Sequence, residues 1–431
     1  MLNRIAMLSV HTSPLATLGG KETGGMNVYV RDLTQEFSRQ GIAVDVYTRS
    51  QDPTLPRVQK LGELGRVIQV KAGPEQPYNK NKVYDHLEEF VAGVQAYVQT
   101  RQVRYDLIYS HYWLSGLVAA SLRQAWRIPI VQMFHTLAEM KNRVAQSPAE
   151  RETELRANSE GEIMGFVDRL IAATPLEKNQ MTWLYGASPE KIAVAPPGVD
   201  LNRFKPMDQA EALTQIGVPA NHRLILFVGR IQPLKGIDVL MKALALVQER
   251  EPDLAGSICV SIIGGDPKPD AELELAELER LKKLQAELNI SDLVTFLGAK
   301  DQDNLVYYYS GAAMVVMPSH YESFGMVAIE AMACGTPVVA SDVGGLTFSI
   351  EDGYNGFLVP GRDPQALANK IILLLKHPIL REQLSEQART WVARYSWVNI
   401  AEELREIFEQ TLAEYKNESE QVGEKQGDNP I

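Results

Sequence analysis

The sequence is poor in cysteine, in positive charge and in long apolar runs. Its two cysteines, Cys259 and Cys334, lie in apolar stretches, so buried thiols are expected rather than a disulfide or a metal site. The formal net charge of -11 argues against a general nucleic-acid binder, because neutralising phosphates requires a basic surface. No apolar run approaches the roughly 20 residues of a membrane span, and the run at residues 5–10 is too short for a signal peptide. A cytoplasmic enzyme without a membrane span is therefore the expectation.

Length and hydrophobic patterning predict an α/β protein with two domains. At 431 residues, with 45% hydrophobic and 23% charged residues, the chain fits two or three globular domains of about 100–200 residues each. Short β-rich runs alternate with helical segments, which is typical of doubly wound parallel sheets. The predicted strands are residues 4–10, 42–48, 67–72, 106–112, 129–135, 169–174 and 192–195 in the first half, and 224–228, 258–263, 293–297, 312–317, 338–341 and 357–359 in the second.

A Pro- and Gly-rich stretch, APPGVDLNRFKP, separates the two halves and is interpreted as the linker between them. The predicted domains are residues 1–200 and 201–391, followed by a helix at 392–415 and a polar, mobile tail at 416–431. Two open sheets joined in this way predict a central cleft that binds ligands and closes on them.

The stretch MPSHYESFGMVAIEAMACG, residues 317–335, predicts a strand, a polar turn and a short helix that ends at Gly335. Glu322 and Glu330 bracket this corner, and Gly325 lets backbone N–H groups at the helix start approach a ligand closely. Polyhydroxylated, negatively charged ligands suit such a corner. For a single glutamate, an exposed turn or helix position is the commoner alternative.

The second half opens with FVGRIQPLKGIDVLMKAL, a strand followed by a turn and a helix. Arg230 stands at the strand end and Lys235 just before the helix, so two cations and a helix dipole meet at one point. This arrangement predicts a diphosphate site, with two solvated loop cations as the alternative.

Two further patterns are less specific. The loop at residues 11–24 contains Gly19, Gly20 and Gly24 and leads into Gly25, so it can present N–H groups to an anion. GxGxxG is absent, and a plain long turn is the alternative. The string Asp301-Gln-Asp303 is interpreted as a helix start rather than a cation site, so no metal and no further cofactor is expected.

As a set, GRIQPLKG, ESFGMVAIEAMACGTPVV and PPGVD resemble the retaining nucleotide-sugar glycosyltransferases with the GT-B fold, specifically family four, and the similarity covers nearly the whole chain. In the first half, LSVHTSPL, GGMNVYV, SHYWLSG and HTLAEMKN resemble the inositol-phosphate glycosyltransferases of mycothiol synthesis most closely. Sucrose-phosphate synthases are similar in arrangement but usually have Gln where Met26 stands. The resemblance implies two Rossmann-like domains and a terminal helix that crosses back to the first of them.

The resemblance also implies a role for individual residues. Those expected to bind the UDP-sugar donor are Gly25, Arg230, Lys235, Glu322, Phe324, Gly325 and Glu330, and those expected to bind a small phosphorylated sugar or polyol are Asn27, Lys80, Tyr112, Thr136 and Arg156. His135 would lie beside the reacting carbon and, with Arg230, Lys235 and Glu322, would form the catalytic set. A dianionic phosphate needs cationic or hydroxyl donors, and the acceptor residues supply both kinds.

The implied activity is transfer of a glucosyl-type group from UDP-glucose or UDP-N-acetylglucosamine, with retention, to fructose 6-phosphate or an inositol phosphate. A UDP-sugar epimerase of similar architecture and a non-catalytic sugar-nucleotide sensor are the alternatives. Both sugars and the oligomeric state stay open at this point, a homodimer being one arrangement.

Overall fold

The computed structural model describes residues 2–16, 24–265 and 272–427, the side chains of 272–274 and 421–427 excepted. The described chain forms two compact units. One contains the chain up to Ala16, Gly25–Pro196 and the chain from Trp397 onward, and the other contains Pro197–Ser396. Gly19 and Gly20 of the glycine-rich loop lie outside the described residues, as does the chain after residue 427.

The first unit is built on an eight-stranded sheet in the order β3-β4-β2-β1-β5-β6-β7-β8. Every neighbouring pair is parallel except β3–β4. The strands are β1 Arg4–Leu8, β2 Ala43–Arg49, β3 Val58–Lys60, β4 Gly65–Val70, β5 Leu107–His111, β6 Ile130–Met133, β7 Arg169–Ala172 and β8 Ile192–Val194. The short edge strand β3 was not predicted, because its exposed sequence VQK lacks apolar alternation.

Helices cover this sheet, and their apolar sides form one core with it. They are α1 Gly25–Arg39, α2 Leu87–Arg101, α3 Tyr112–Trp126, α4 Ala138–Val144, α5 Glu154–Phe166 and α6 Pro175–Tyr185, with single 3₁₀ turns or short 3₁₀ helices at Lys80–His86, Pro148–Glu150 and Pro189–Lys191. The helix predicted from the apolar face of residues 25–39 is α1, and its inward residues Val30, Leu33 and Phe37 are fully buried.

The second unit has a six-stranded, fully parallel sheet in the order β11-β10-β9-β12-β13-β14. Its strands are β9 Arg223–Val228, β10 Ile258–Ile263, β11 Val294–Gly298, β12 Ala312–Met317, β13 Val338–Ser341 and β14 Gly356–Val359. Its helices are α7 Gln209–Gln215, α8 Ile237–Arg250, α9 Pro252–Ala255, α10 Glu272–Glu287, α11 Gln302–Gly311, α12 Met326–Ala333, α13 Leu346–Ser349, α14 Pro364–Lys376 and α15 Pro378–Val392, with 3₁₀ turns at Pro233–Lys235 and Ala393–Tyr395. The predicted strands of this half are confirmed, and the two α/β domains agree with the predicted fold class.

The last helix, α16 Trp397–Gly427, belongs to the first unit. Its Phe408 packs against Phe37 and Tyr109, with ring centroids 5.9 and 4.9 Å away, and its Trp397 lies edge-on to Tyr29 at 5.3 Å. The helix therefore returns to the first unit, and it runs beyond residue 415, where the sequence placed its end. Among the described residues, no helix is both long and apolar enough to cross a bilayer.

Strand order indicates where each sheet can bind a ligand. In the first sheet the chain winds outward from β1 to β2 and β4 and then restarts at β5, so β1 and β5 flank a switch point. In the second, β9 and β12 flank the corresponding switch point. Open α/β sheets bind ligands beyond the carboxyl ends of the strands at such points. The predicted site residues follow these four strands or β6, except Lys80, which follows β4.

Candidate active site

In the second unit, the segments after β9 and β12 bring two of the predicted donor residues, Lys235 and Glu322, into contact. Lys235 ends the 3₁₀ turn before α8, and its Nζ donates a hydrogen bond to Glu322 Oε2 at 2.5 Å. The two side chains are only 17% and 15% exposed, so both charges are largely desolvated. Each charge is therefore compensated mainly by the opposite charge of its partner. Arg230, at the end of β9, is half-buried and forms no ion pair within the described residues.

The loop that carries Glu322 is fixed by main-chain contacts on both sides. The His320 N–H donates to the Leu234 carbonyl at 2.8 Å, which ties this loop to the Lys235 turn. The Gly345 N–H donates to the Glu322 carbonyl, also at 2.8 Å. A Cβ at Gly344 would lie 2.0 Å from that carbonyl oxygen, so only glycine permits this approach. Glu322 is therefore held in place before any ligand binds.

Phe324 and Gly325 complete this corner. Phe324 is 3% exposed and packs edge-on against Tyr395 at 5.6 Å, so its ring serves as a support within the unit. Gly325 has φ +93° and directly precedes α12, where the helix dipole favours negative charge. The sequence predicted this strand, turn and helix correctly.

Glu330 lies on α12 and is almost completely buried. Tyr309 OH donates to its Oε2 at 2.8 Å and Gln302 Nε2 donates to its Oε1 at 3.1 Å. Burial, and then the neighbouring Glu330 carboxylate, raise the pKa of Tyr309 well above its usual value. Tyr309 therefore stays a hydrogen-bond donor to Glu330. These contacts hold the carboxylate that the sequence predicted to bind the ribose hydroxyls.

Asp301 caps α11, because its carboxylate accepts a hydrogen bond from the Asn304 N–H at 2.7 Å. This confirms the predicted helix start, and α11 begins at Gln302. Asp303 pairs with Arg203 at 3.0 Å. Within the described ranges, no group of three or more His, Cys, Asp and Glu residues is arranged to hold a metal ion.

Gly236→Ala is expected to disturb the donor residues more than a matched glycine substitution. Gly236 has φ +64°, and a Cβ there would lie 2.0 Å from the Pro318 carbonyl oxygen. Gly217 has φ +71° with nothing within 4 Å of its Cβ position, so Gly217→Ala carries only the backbone cost of about 1–2 kcal/mol. The clash at Gly236 must separate the Lys235 turn from the Glu322 loop, and we expect kcat/KM for the donor to fall about tenfold. Equal effects of both variants on urea unfolding and donor kinetics would contradict this expectation.

In the first unit, the predicted acceptor residues converge from four separate segments. Arg156 of α5 is fully buried, its guanidinium lies 4.6 Å from the centroid of the Tyr112 ring, and its Nη2 donates to the Thr136 carbonyl at 2.8 Å and to Thr136 Oγ1 at 3.1 Å. Lys80 Nζ lies 5.9 Å from the centroid of the same ring. Tyr112 OH is buried without a hydrogen-bond partner among the described residues. A buried hydroxyl beside two cations is a donor set that suits an anion.

Glu152 is the anion that these cations meet within the protein. Its Oε1 lies 2.8 Å from Arg156 Nη1 and 3.5 Å from Lys80 Nζ, and Lys141 Nζ donates to it as well. Burial raises the pKa of Glu152, but Arg156, Lys80 and Lys141 outweigh it and hold that pKa below its usual range. Burial and then Lys80 lower the pKa of Lys141 to about 8. Lys141 and Glu152 were not predicted as site residues, because their places on α4 and before α5 became significant only when the chain folded.

Three histidines lie at the carboxyl ends of strands: His11 follows β1, His111 ends β5 and His135 follows β6. His111 Nδ1 and His135 Nε2 are 3.0 Å apart, and the His11 ring packs at a tilt against the Tyr112 ring with centroids 4.5 Å apart. Burial lowers the pKa of His135 to about 3 and that of His111 well below its usual value; burial and then Lys80 lower the pKa of His11 to about 3. All three rings are therefore neutral at physiological pH. Only His135 was predicted, although LSVHTSPL places His11 directly after the predicted strand 4–10 and SHYWLSG places His111 at the end of β5.

His135 and Tyr112 also share an unusual backbone conformation. Their φ angles are +63° and +73°, a left-handed region that costs a bulky residue free energy. Such strain is concentrated at functional sites, where the surrounding structure maintains it. Both residues lie where a strand gives way to the segment after it, at the edge where open α/β sheets bind ligands.

Asn27 and Gly25 lie at the start of α1. Asn27 is buried, and its Nδ2 donates to Thr12 Oγ1 and to the Ser13 carbonyl, both at 2.7 Å. Its side chain thereby anchors the segment after β1. Gly25 is exposed as the first residue of α1. The residues of the loop between these two segments are not all described, so the ligand contacts expected of Gly25 and Asn27 stay predictions.

Glu177 lies at the start of α6 and is expected to make stability depend on pH. It is buried, the Ala173 N–H donates to its Oε2 at 2.6 Å, and burial raises its pKa to about 7. The unfolded carboxyl has a pKa of about 4.3, so between these values the folded state binds more protons and the free energy of unfolding falls as the pH rises.

In Glu177→Gln this dependence is absent, so the stability of the variant relative to the native protein should increase by roughly 3 kcal/mol between pH 4.5 and 7.5. Glu154→Gln is the matched control, since Glu154 is an exposed glutamate in the first turn of α5. Urea unfolding at several pH values measures the difference. Parallel pH curves for Glu177→Gln and the native protein would count against a raised pKa.

Comparison with known proteins connects both halves of the chain to one group of enzymes. The model of the Glycosyltransferase Family 4 matches residues 23–203, and that of the glycosyl transferases group 1 matches residues 208–391. A D-inositol 3-phosphate glycosyltransferase of Streptomyces bingchenggensis is 41% identical over 415 residues, which are 96% of this chain and 90% of the relative. The sucrose-phosphate synthase structure from Thermosynechococcus elongatus matches with a TM-score of 0.87 at 36% identity, over 95% of this chain and 99% of that one. An Anabaena protein solved with UDP-glucose shares the fold, with a TM-score of 0.72 at 22% identity, over 94% of this chain and 99% of that one.

Proposed function

Because the chain belongs to glycosyltransferase family 4 and is a glycosyltransferase with the GT-B fold of that family, we propose that it transfers a glucosyl-type group from a UDP-sugar to a small phosphorylated acceptor. The acceptor would be an inositol phosphate or fructose 6-phosphate, and the donor UDP-glucose or UDP-N-acetylglucosamine. The UDP-sugar is a co-substrate, and the reaction as proposed requires no other cofactor.

The observation that carries this proposal is the group of cations around Glu152. Lys80, Lys141 and Arg156 come from three elements, while Glu152 and Glu160 are the two carboxylates that pair with them. Three positive charges against two negative ones leave an excess positive charge at a largely buried position. A phosphate group is the ligand that such an excess favours, and Thr136 and Tyr112 add hydroxyls beside it. A neutral acceptor would leave this excess positive charge uncompensated.

The second unit supports binding of a nucleotide sugar. Lys235 and Arg230 flank the start of α8, where the helix dipole adds to their charge, so a diphosphate can be neutralised there. Glu322, which pairs with Lys235, can accept hydrogen bonds from sugar hydroxyls once Lys235 turns to the phosphates. Glu330, held by Tyr309 and Gln302, is proposed to accept the ribose hydroxyls.

In the proposed mechanism, the bond between the anomeric carbon and the β-phosphate oxygen breaks while the acceptor oxygen bonds to the same face of that carbon. The acceptor hydroxyl gives its proton to the departing β-phosphate oxygen, and UDP leaves. Arg230, Lys235 and the N-terminus of α8 stabilise the charge that builds on UDP, because they lie together at the start of α8 and Lys235 turns from Glu322 to the phosphates as the donor binds. The carbonyl of His135 is proposed to stabilise the positive charge on the sugar. Retention follows from attack on one face, without a glycosyl-enzyme adduct.

UDP release by the purified protein tests the function. The two UDP-sugars are crossed with D-inositol 3-phosphate, fructose 6-phosphate and the corresponding unphosphorylated polyols, and products are identified by mass and by the anomeric proton coupling. Transfer to one phosphorylated acceptor, with retained configuration and in excess chelator, is the expected result.

The alternatives give different results in the same assay. Conversion of the donor to its epimer without acceptor would make the protein an epimerase, and donor binding without turnover in any combination would make it a sensor. Equal rates with phosphorylated and unphosphorylated acceptors would contradict the assigned role of the cations around Glu152. Trapping of a covalent glycosyl-enzyme would overturn the one-step mechanism.

A further inference from the structure

His111 is a buried titratable residue in direct contact with His135 that the proposed mechanism leaves unused. It ends β5, its side chain is completely buried, and its Nδ1 lies 3.0 Å from His135 Nε2. The rings of Tyr29 and Tyr109 enclose it, with centroids 5.6 and 4.2 Å from its own. Its Nε2 is buried and has no hydrogen-bond partner among the described residues.

Both imidazoles are neutral, because burial lowers both pKa values. Each ring then carries one N–H, and between the two rings one nitrogen must donate and the other accept. If His135 were the donor, His111 would carry its own proton on Nε2, and that N–H would be buried without an acceptor. If His111 is the donor, its Nε2 is a bare nitrogen, and an unsatisfied buried acceptor is more readily tolerated than an unsatisfied buried N–H.

The second arrangement has a consequence for His135. With His135 Nε2 accepting the hydrogen bond, the remaining proton must be on Nδ1. His135 is half-buried, and its Nδ1 forms no hydrogen bond within the described residues. An Nδ1–H at this position can donate to a ligand atom, whereas a bare Nδ1 could only accept.

We propose that His111 is a positioning residue that donates its Nδ1–H to His135 Nε2 and thereby holds His135 as a hydrogen-bond donor, through Nδ1–H, to an oxygen of the transferred sugar. The identity of the ligand in this statement rests on the proposed function. The tautomer itself does not, because it is a property of the unliganded first unit.

The tautomer is measured directly by long-range proton–nitrogen NMR correlations on protein labelled with ¹⁵N-histidine. The chain has seven histidines, so the signals of these two can be assigned with single His→Asn variants. The expected result is a protonated Nδ1 and an unprotonated Nε2 in both His111 and His135. A protonated Nε2 on His135 would overturn the proposal.

Substitution of His111 tests the consequence for catalysis. His111→Asn places an amide N–H near the original Nδ1, so it should keep the His135 tautomer and keep kcat within about threefold of the native value. His111→Leu has no donor, so the His135 tautomers should mix and kcat should fall about 10–100-fold, the usual effect of losing an orienting partner. The KM for the acceptor should be the same in both variants.

The outcomes separate this inference from the proposed function. If the native protein has the expected tautomer but His111→Asn and His111→Leu have equal kcat values, the positioning role is refuted. The proposed function is then unaffected. Absence of transfer with every donor and acceptor would refute the function, while the NMR result would still decide the tautomer. If His111→Leu does not fold, the spectrum of the native protein and the kinetics of His111→Asn remain decisive.

Discussion

Lys235→Ala is expected to lower kcat for sugar transfer by roughly 10²–10³-fold, the usual effect of removing one preoriented donor that stabilises developing charge. In the unliganded protein Lys235 Nζ lies in a largely desolvated pair with Glu322, so this cation stands next to the place where the diphosphate is proposed to bind. The variant also leaves Glu322 without its cation, which disfavours approach of the diphosphate. UDP release at saturating acceptor measures the loss.

Lys242→Ala is the matched control for this substitution. Lys242 lies on α8 close to Lys235 and also pairs with a carboxylate, Asp238 Oδ2 at 3.0 Å, but its side chain is 47% exposed. We expect at most a small change in its kcat, because an exposed pair contributes about 0–1 kcal/mol to stability. Similar losses in both variants would indicate a general effect on the second unit and contradict a specific role for Lys235.

The second large effect concerns the phosphate of the acceptor. In the native protein, replacing the phosphorylated acceptor with its unphosphorylated polyol should lower kcat/KM by about 10²–10⁴-fold, since two charge-assisted contacts at about 1.5–3 kcal/mol each are lost. In Lys80→Met this ratio should shrink about tenfold or more, because one of the contacts is already absent. The side chain of Lys80 is 23% exposed, whereas Arg156 is fully buried. We therefore expect the substitution at Lys80 to leave the position of Arg156 unchanged.

Lys82→Met provides the comparison, because Lys82 is exposed in the same short 3₁₀ helix, Lys80–His86. Its phosphate dependence should equal that of the native protein. Native protein and Lys80→Met, each assayed with the phosphorylated and the unphosphorylated acceptor, form a double-mutant cycle. All effects cancel in this cycle except the interaction between Lys80 and the phosphate, and the same cycle with Lys82→Met is the control. A ratio unchanged by Lys80→Met would show that Lys80 does not contact the phosphate, even if transfer itself is detected.

The sequence alone determined the fold class and the strand ends at which the residues predicted to bind the donor stand. Alternating β-rich and helical segments fix a doubly wound sheet because parallel strands need crossover connections. Apart from Gly25, the residues predicted to bind the donor lie in two short segments, around Lys235 and around Glu322, each next to one strand end. A strand followed by a glycine turn and a helix has few possible geometries, so local pattern was sufficient there.

The acceptor half depended on tertiary structure. Lys80, Tyr112, Thr136 and Arg156 come from four segments, each with an ordinary alternative when considered singly, and the family resemblance grouped them before the fold did. Only the fold brings Lys141 and Arg156 to the same carboxylate, Glu152. It also places His111 against His135. Periodicity reports which face of an element is buried, but not which side chains of distant elements meet there.

The sequence therefore determined the two α/β domains, the strand ends and the types of residue that stand at them. Tertiary structure decided the rest: that Glu152 is the internal counter-ion of Lys80, Lys141 and Arg156, that three histidines are neutral, and that two of them form a hydrogen-bonded pair. The physical reason is that local chain geometry acts over a few residues. Charge compensation, desolvation and hydrogen-bond donation depend instead on which groups the folded chain places within a few ångströms of one another.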